Sequence, residues 1–413
     1  MSLRVVFLNR SFYPDITATG QLLTELCEDL VKDYNCQVTV VAGRPLILIS
    51  KDNDQARNFG TAIIQKENLK GIEILRVKNT TFSPKSFLGR ISNYLTYFSL
   101  SLIASFKLKK PDLVVTLTDP PIIGLVGLLI SRRFNIPLII SVRDIFPEAA
   151  RGLEGSQNRA VIVLLDYIYR FCLKNAFHIV ALGKIMRRRI IEEKGISENK
   201  ISIIPDWADC KNILPVSKKN TFSLTYNLAD YFVVMYAGNI GASSGLETLI
   251  DSAQLLKDYK DVLFVLVGEG IKKEKLIQRT KGYKLENVKF FPYQPKEKLS
   301  DLFSSADIFI IPLKKGLAGY SLPSKIYTIL ASARPYIACM EEEGEVVQIT
   351  QEFNCGLIAK PEDPLDLTEK ILSLYKDKEL RARLGENARY AAGFFDRSLG
   401  VKKYYELFKE INP

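Results

Sequence analysis

The sequence predicts an α/β protein of two doubly wound halves, each a mostly parallel sheet with helices on both faces. Three observations predict it. Short runs rich in Val, Ile and Leu alternate with helical patterns, as strands buried on both faces do. The alternation begins afresh after a polar stretch near the middle. And 413 residues exceed what a single core usually serves.

In the first half the strand-like runs are Val5–Asn9, Gln37–Ala42, Ile72–Val77, Asp112–Leu117, Pro137–Val142 and Phe177–Leu182. Helical patterns such as Gly20–Tyr34 and Ala160–Lys174 lie between them. The break falls between Pro205 and Asn220, where Pro215, Ser217, Lys218 and Lys219 have linker composition. The second half brings runs at Tyr231–Ala237, Val262–Val267, Val288–Phe291, Asp307–Ile311, Tyr336–Cys339 and Gly356–Ile358. Helical patterns there cover Gly245–Leu256, Lys296–Ser305, Ser324–Ser332 and Pro364–Lys376, and Phe395–Ile411 reads as one amphipathic helix. The expected division is 1–208, 209–394 and a tail 395–413.

Composition excludes several classes. With 47% hydrophobic and 25% charged residues the chain is not disordered. Leu3–Leu8 reads as a strand rather than a signal peptide, and the apolar stretch Ile122–Ile130 is too short to cross a bilayer, so a cytoplasmic protein without a transmembrane helix is expected. Cys27, Cys36, Cys172, Cys210, Cys339 and Cys355 show no metal or redox spacing and read as reduced thiols. The one histidine, His178, sits in a strand-like run and reads as a core residue, which weighs against a zinc site or a Ser-His-Asp hydrolase. No Gly-x-Gly-x-x-Gly opens a helix after the first strand and no Walker motif occurs, which argues against dinucleotide oxidoreductases and P-loop ATPases.

The net charge of +11 is lopsided. Residues 1–205 hold 28 Lys and Arg against 18 Asp and Glu, and the remainder is nearly balanced. A one-sided basic field points to an anionic partner. Ser86 to Phe106 places Phe87, Leu88, Ile91, Tyr94, Leu95, Phe98, Leu102, Ile103 and Phe106 at helical spacing, flanked by Lys85, Arg90, Lys107, Lys109 and Lys110. That pattern suits an interfacial helix on an anionic membrane surface, as well as a core helix with solvated ends. Lys184 to Arg189 adds a second basic cluster. No RNA-binding module is visible, so nucleic acid is not the expected partner.

In open α/β sheets ligands bind beyond the carboxyl ends of the strands. Three glycine-bearing loops follow second-half strands: Tyr236 to Gly245, with Asn239 and Gly241; Val267 to Ile271, with Glu269; and Lys314 to Lys325, with Ser324. Each alone could be a plain turn. Together their amides, helix starts and the cations of Lys314 and Lys325 read as a diphosphate pocket. In the first half, Pro14 to Gly20 forms a loop before the first helix, and Ser141 to Glu148 carries Arg143, Asp144 and Glu148 past a strand. Asp144 and Glu148 could bind or deprotonate an acceptor hydroxyl, although Asp144 also suits a helix-entry turn.

These segments bring a family into view. Phe12 to Gly20, Asp144 to Glu148, Pro205 to Asp209, Gly238 to Gly241 with Gly245 to Thr248, and Pro312 to Lys314 with Pro323 to Lys325 occur in family order. The chain resembles family 4 glycosyltransferases of the GT-B fold, and within them the branch that adds N-acetylfucosamine or related sugars in O-antigen, capsule and exopolysaccharide assembly. The resemblance implies a nucleotide-diphosphate sugar, a UDP-sugar above others, held by the second domain, and a polyprenyl-diphosphate-linked saccharide held by the first. It implies retention of configuration, no metal, and a place on the inner face of the plasma membrane. It also implies that the tail helix crosses back to the first domain. Donor contacts would come from Gly20, Asn239, Gly241, Glu269, Tyr293, Gln294, Lys314, Ser324 and Lys325, with Asp144 and Glu148 as the catalytic pair and Arg90, Lys107 and Arg143 toward membrane or acceptor. The family's two glutamates, eight residues apart, fall at Tyr320 and Thr328, which join the donor set. Its Arg and Lys after the first strand of the second domain are replaced around Asn239 and Ser243, and its cleft histidine near Arg143 and Asp144. Lys325 and Lys314 would then neutralise the phosphates. A non-catalytic nucleotide-sugar-binding subunit and a nucleotide-sugar 2-epimerase are the alternative readings.

Overall fold

The computed structural model describes residues 2–46, 62–83, 86–152 and 159–412. Lys85 therefore lies outside the described residues. The described chain forms two compact units. The first holds the described residues through Ala150, those from Arg159 to Pro205, and those from Gly400 onward. The second runs from Asp206 to Leu399 and takes in Arg151 and Gly152.

The first unit contains β1 (Arg4–Asn9), α1 (Ala18–Tyr34), β2 (Gln37–Ala42), β3 (Ile64–Leu69), β4 (Ile72–Val77), α2 (Phe87–Ser105), β5 (Leu113–Leu117) and α3 (Gly124–Phe134). It continues with β6 (Leu138–Ser141), α4 (Arg159–Asn175), β7 (His178–Ala181), α5 (Lys184–Lys194) and β8 (Ile201–Ile203). Its sheet runs β3-β4-β2-β1-β5-β6-β7-β8, parallel except for the β3–β4 hairpin. The hairpin turn is Lys70-Gly71, both with positive φ (50° and 89°), the backbone a two-residue hairpin needs. Side-chain caps start the helices: Thr17 accepts from the Gly20 N–H at 3.4 Å and Ser86 from the Gly89 N–H at 3.3 Å.

The second unit contains α6 (Thr221–Thr225), β9 (Phe232–Ala237), α7 (Glu247–Leu255), β10 (Val262–Val267), α8 (Lys273–Gly282), β11 (Val288–Phe291), α9 (Leu299–Ser304) and β12 (Ile308–Pro312). Then come α10 (Lys325–Ala331), β13 (Tyr336–Cys339), α11 (Glu345–Phe353), β14 (Gly356–Ala359), α12 (Pro364–Lys376) and α13 (Lys378–Ala392). The sheet is all parallel in the order β11-β10-β9-β12-β13-β14. Every residue of β9, β10 and β12 is buried, which is why these strands read as unbroken apolar runs.

Helix α14 (Arg397–Ile411) begins in the second unit and ends in the first. Within the first unit Phe408 is fully buried against Phe7, ring centroids 6.3 Å apart, and Tyr404 Oη lies 2.8 Å from Ser141 Oγ. Within the second, Ala208 and Phe395 are joined by a backbone hydrogen bond of 3.1 Å.

Candidate functional site

Each sheet reverses its strand order once, and there the loops splay apart to leave a crevice. In the second unit the reversal lies between β9 and β12. Two of the three glycine loops leave those strands, and the third follows β10 next to β9. Pairing continues past the strand ends: the Gly238 N–H donates to Val267 O at 2.9 Å and the Ile240 N–H to Glu269 O at 2.8 Å. Such close approach demands glycine. A Cβ on Gly268 (φ 146°) would stand 1.9 Å from Gly238 O. One on Gly270 (φ 157°) would stand 2.2 Å from Ile240 O.

Lys325 opens α10 and reaches into this crevice. Its Nζ sits 3.7 Å from the centroid of the Tyr236 ring. The Tyr236 hydroxyl donates in turn to Asn239 O at 2.5 Å. A Cβ on Gly238 would come within 3.3 Å of both Cε and Nζ of Lys325, so the glycine leaves room for the amine. Among the described residues no carboxylate or other acceptor bonds that amine. The side chain as a whole keeps some surface, but the amine is closely surrounded, and burial pulls its pKa down to about 7. The Ser324 side chain makes no cap bond. Lys314 donates its N–H to Ser243 O at 2.9 Å and lays its stem against Gly245.

The other expected donor residues separate by role. Asn239 folds back between Gly241 and Gly270, its amide atoms 2.8 Å from where either glycine's Cβ would be. Glu269 is held by Lys273 at 2.6 Å. Gln294 donates to Pro292 O at 3.0 Å, which ties it to its own loop beside Tyr293. Tyr320 is buried where its loop turns back on Leu317, and Thr328 lies inside α10. Gly20 belongs to the first unit, where its N–H is given to the Thr17 cap at 3.4 Å.

In the first unit the order reverses between β1 and β5, and a cluster absent from the sequence reading fills the crevice. Arg10, just past β1, forms a two-pronged bond to Asp119, just past β5, at 3.2 and 3.0 Å. Ser11 adds a third bond to Asp119 at 3.0 Å, and Tyr94 lays its ring 5.9 Å from the guanidinium. Asp15 accepts the Thr17 and Leu46 N–H groups, yet burial raises its pKa above the ordinary carboxylate value. Arg10 and Asp119 are 109 residues apart. The rule that ligands sit at strand ends beside the reversal was the signal that could have found them.

Asp144 and Arg143 follow β6, both backbone N–H groups turned toward Thr118 Oγ1 at 3.3 and 3.0 Å, and Tyr169 donates to Asp144 O at 3.0 Å. Glu148 needs correcting. Both its oxygens accept from Lys194 Nζ, at 2.9 and 2.8 Å, and Lys194 is fully buried. Asp166 takes the remaining side of that ammonium at 2.7 Å. Both its oxygens are engaged by a fully buried ammonium that Asp166 shares, so Glu148 is tied into an ion triad that holds the fold rather than set out toward an acceptor hydroxyl.

Helix α2 buries Asn93, Tyr97, Ser101 and Ala104, with the Tyr97 hydroxyl on Val41 O at 2.8 Å, and turns Leu88, Leu95 and Ile103 outward. Phe106, just after it, is 67% exposed, and Arg90 and Lys107 stand on the same segment. His178 bonds Ser202 through Nε2 at 2.8 Å, and burial lowers its pKa. Among the described residues there is no cluster of three metal-ligating side chains, and no helix is long and apolar enough to cross a membrane.

Comparison with known proteins agrees with this geometry. Residues 221–391 match the family described as Glycosyl transferases group 1, and residues 19–207 match the Glycosyl transferase 4-like domain. The Pseudomonas aeruginosa protein named "Probable glycosyltransferase WbjE" is 25% identical over 283 residues, which cover 66% of this chain and 68% of that one. The Campylobacter jejuni N,N'-diacetylbacillosaminyl-diphospho-undecaprenol alpha-1,3-N-acetylgalactosaminyltransferase is 24% identical, covering 62% and 67%. Among solved structures, Anabaena HepE in complex with UDP superposes with a TM-score of 0.72 at 16% identity, covering 99% of this chain and all of that one.

Proposed function

The chain belongs to the family 4 glycosyltransferases of the GT-B fold, and from that premise we propose that it moves a sugar from a UDP-sugar to a polyprenyl-diphosphate-linked saccharide in building a bacterial surface polysaccharide. In the narrower form of this reading the sugar is an N-acetylated deoxysugar, transferred with retention and without a metal. The observation that carries it is the second unit's crevice: three glycine-shaped loops whose strand ends meet around an amine that no carboxylate neutralises. A departing nucleoside diphosphate is the anion such a site fits. The lipid-linked acceptor is supported by the name of the Campylobacter relative, and uridine by the UDP bound to HepE.

In this reading Lys325, Lys314 and the loop amides take up charge as the diphosphate leaves, and Asp144 orients the acceptor hydroxyl. The test is a thermal-shift and turnover screen against UDP, GDP, dTDP and their common sugars. UDP should stabilise the protein, and its cognate sugar should be transferred or slowly released. The Asp144→Asn variant should keep the UDP shift and lose about 10²- to 10⁴-fold in transfer. An unchanged rate would remove Asp144 from the chemistry. Stabilisation with no turnover would favour the binding-subunit reading, and release of a 2-epimer the epimerase.

The outward apolar side of α2, with Phe106, Arg90 and Lys107, supports docking on an anionic bilayer at the cytoplasmic face. Flotation should recover the protein with phosphatidylglycerol vesicles, less so as salt rises. Equal recovery with neutral vesicles would count against it.

A further inference from the structure

Lysines drawn in from the surface often meet a carboxylate in this chain. Lys194 is met by two carboxylates, Lys272 by Glu247 at 3.6 Å, Lys273 by Glu269 at 2.6 Å and Lys218 by Asp307. Lys325 is closely enclosed too, yet among the described residues it faces an aromatic ring and no anion. A buried ammonium without a counter-ion is costly, and a ring face offsets only part of the cost.

The groups around it are uncharged. From β9 comes Tyr236, whose phenol is pushed up by burial and stays protonated. Ser244 and Tyr293, from the neighbouring loops, act on Tyr236. Tyr327 and Thr328 follow on its own helix. The charged side chains of the loop set are Lys314, whose stem lies on Gly245, Lys315, and Glu269, which is held at 2.6 Å by Lys273, itself bonded to Gly268 O at 3.0 Å. Resting on the donor-pocket reading above, we propose that Lys325 is a proton-linked reader of the diphosphate: without nucleotide it is largely an unprotonated amine at mildly alkaline pH, and it takes one proton from solvent as a nucleoside diphosphate binds. The position of the amine beside Gly238, at the sheet's reversal point, puts that proton where the phosphates' charge would fall. The pKa of about 7 sets the window in which this happens.

Isothermal titration of UDP, with GDP and dTDP beside it, in buffers of different ionisation enthalpy counts the protons. Uptake should be about one proton per site at pH 8.5 and roughly half at pH 7. Affinity should fall roughly fifty-fold from pH 7 to pH 9, a range in which the nucleotide's own phosphates, titrating near 6, hardly change. In Lys325→Arg, whose charge does not titrate, uptake should vanish and the pH slope flatten. Tight binding without uptake in the wild type, or the same uptake in Lys325→Arg, overturns the proposal and leaves the nucleotide site intact. If none of the three diphosphates binds, the proposal and the donor-pocket reading fall together.

Discussion

Lys194→Met should destabilise the first unit by about 3–5 kcal/mol, the range seen when one partner of a buried ion pair is removed. The methionine fills much of the same volume, so the loss is electrostatic. Glu148 and Asp166 would face each other across an apolar side chain, with Arg170 left to neutralise Asp166 alone at 2.6 Å. The pH dependence checks the cause. In the wild type burial pushes Asp166 up, but hydrogen bonds from Lys194 and Arg170 outweigh it and hold the carboxyl below its ordinary value. That stability is present above the unfolded carboxylate range and is lost as pH falls through the lowered pKa. In the variant Asp166 loses the Lys194 hydrogen bond and should titrate higher, so the gap should narrow on acidification. Urea unfolding at pH 7 and pH 4.5 measures both. A gap under about 1 kcal/mol at pH 7 would show that the triad is not held as described.

Lys325→Met should have the opposite sign on stability and a large cost in function. Below its folded pKa of about 7 the amine is charged in both states, and folding carries the full penalty of burying it. Between 7 and the ordinary 10.5 only the unfolded chain is protonated, so the penalty shrinks with rising pH and is gone above 10.5. The variant should therefore be more stable than the wild type at pH 7, on the order of 2 kcal/mol after discounting for partial exposure, and equal to it at high pH. Its UDP-induced thermal shift should be lost. A variant less stable at pH 7 would mean that Lys325 makes a favourable contact in the nucleotide-free protein. Both outcomes together would separate structural from functional burial, with Lys194 neutralised by the chain and Lys325 by a bound nucleotide.

What the sequence made legible follows from period and composition. The parallel strands were readable because both faces are covered and their residues are apolar without interruption. Strand β3, Ile-Gln-Lys-Glu-Asn-Leu, escaped because it pairs on one side only and stays partly exposed throughout. Strand β8 is three residues long, too short for any pattern. The glycine loops were legible because close backbone approach leaves one residue type. Pairings between distant side chains leave no such trace. Glu148 looked catalytic because nothing nearby hinted at Lys194, 46 residues on. Arg10 and Asp119 stayed hidden for the same reason.

The closing helix bears on how the protein is made. Phe408 and Tyr404 plug the first unit beside Phe7 and Ser141. On a ribosome, strands β1 to β8 emerge long before those plugs exist. The second unit must be translated in between, some tens of seconds at bacterial speeds. Throughout that interval the first unit lacks part of its own core, and it is then that the nascent chain has most to gain from a chaperone.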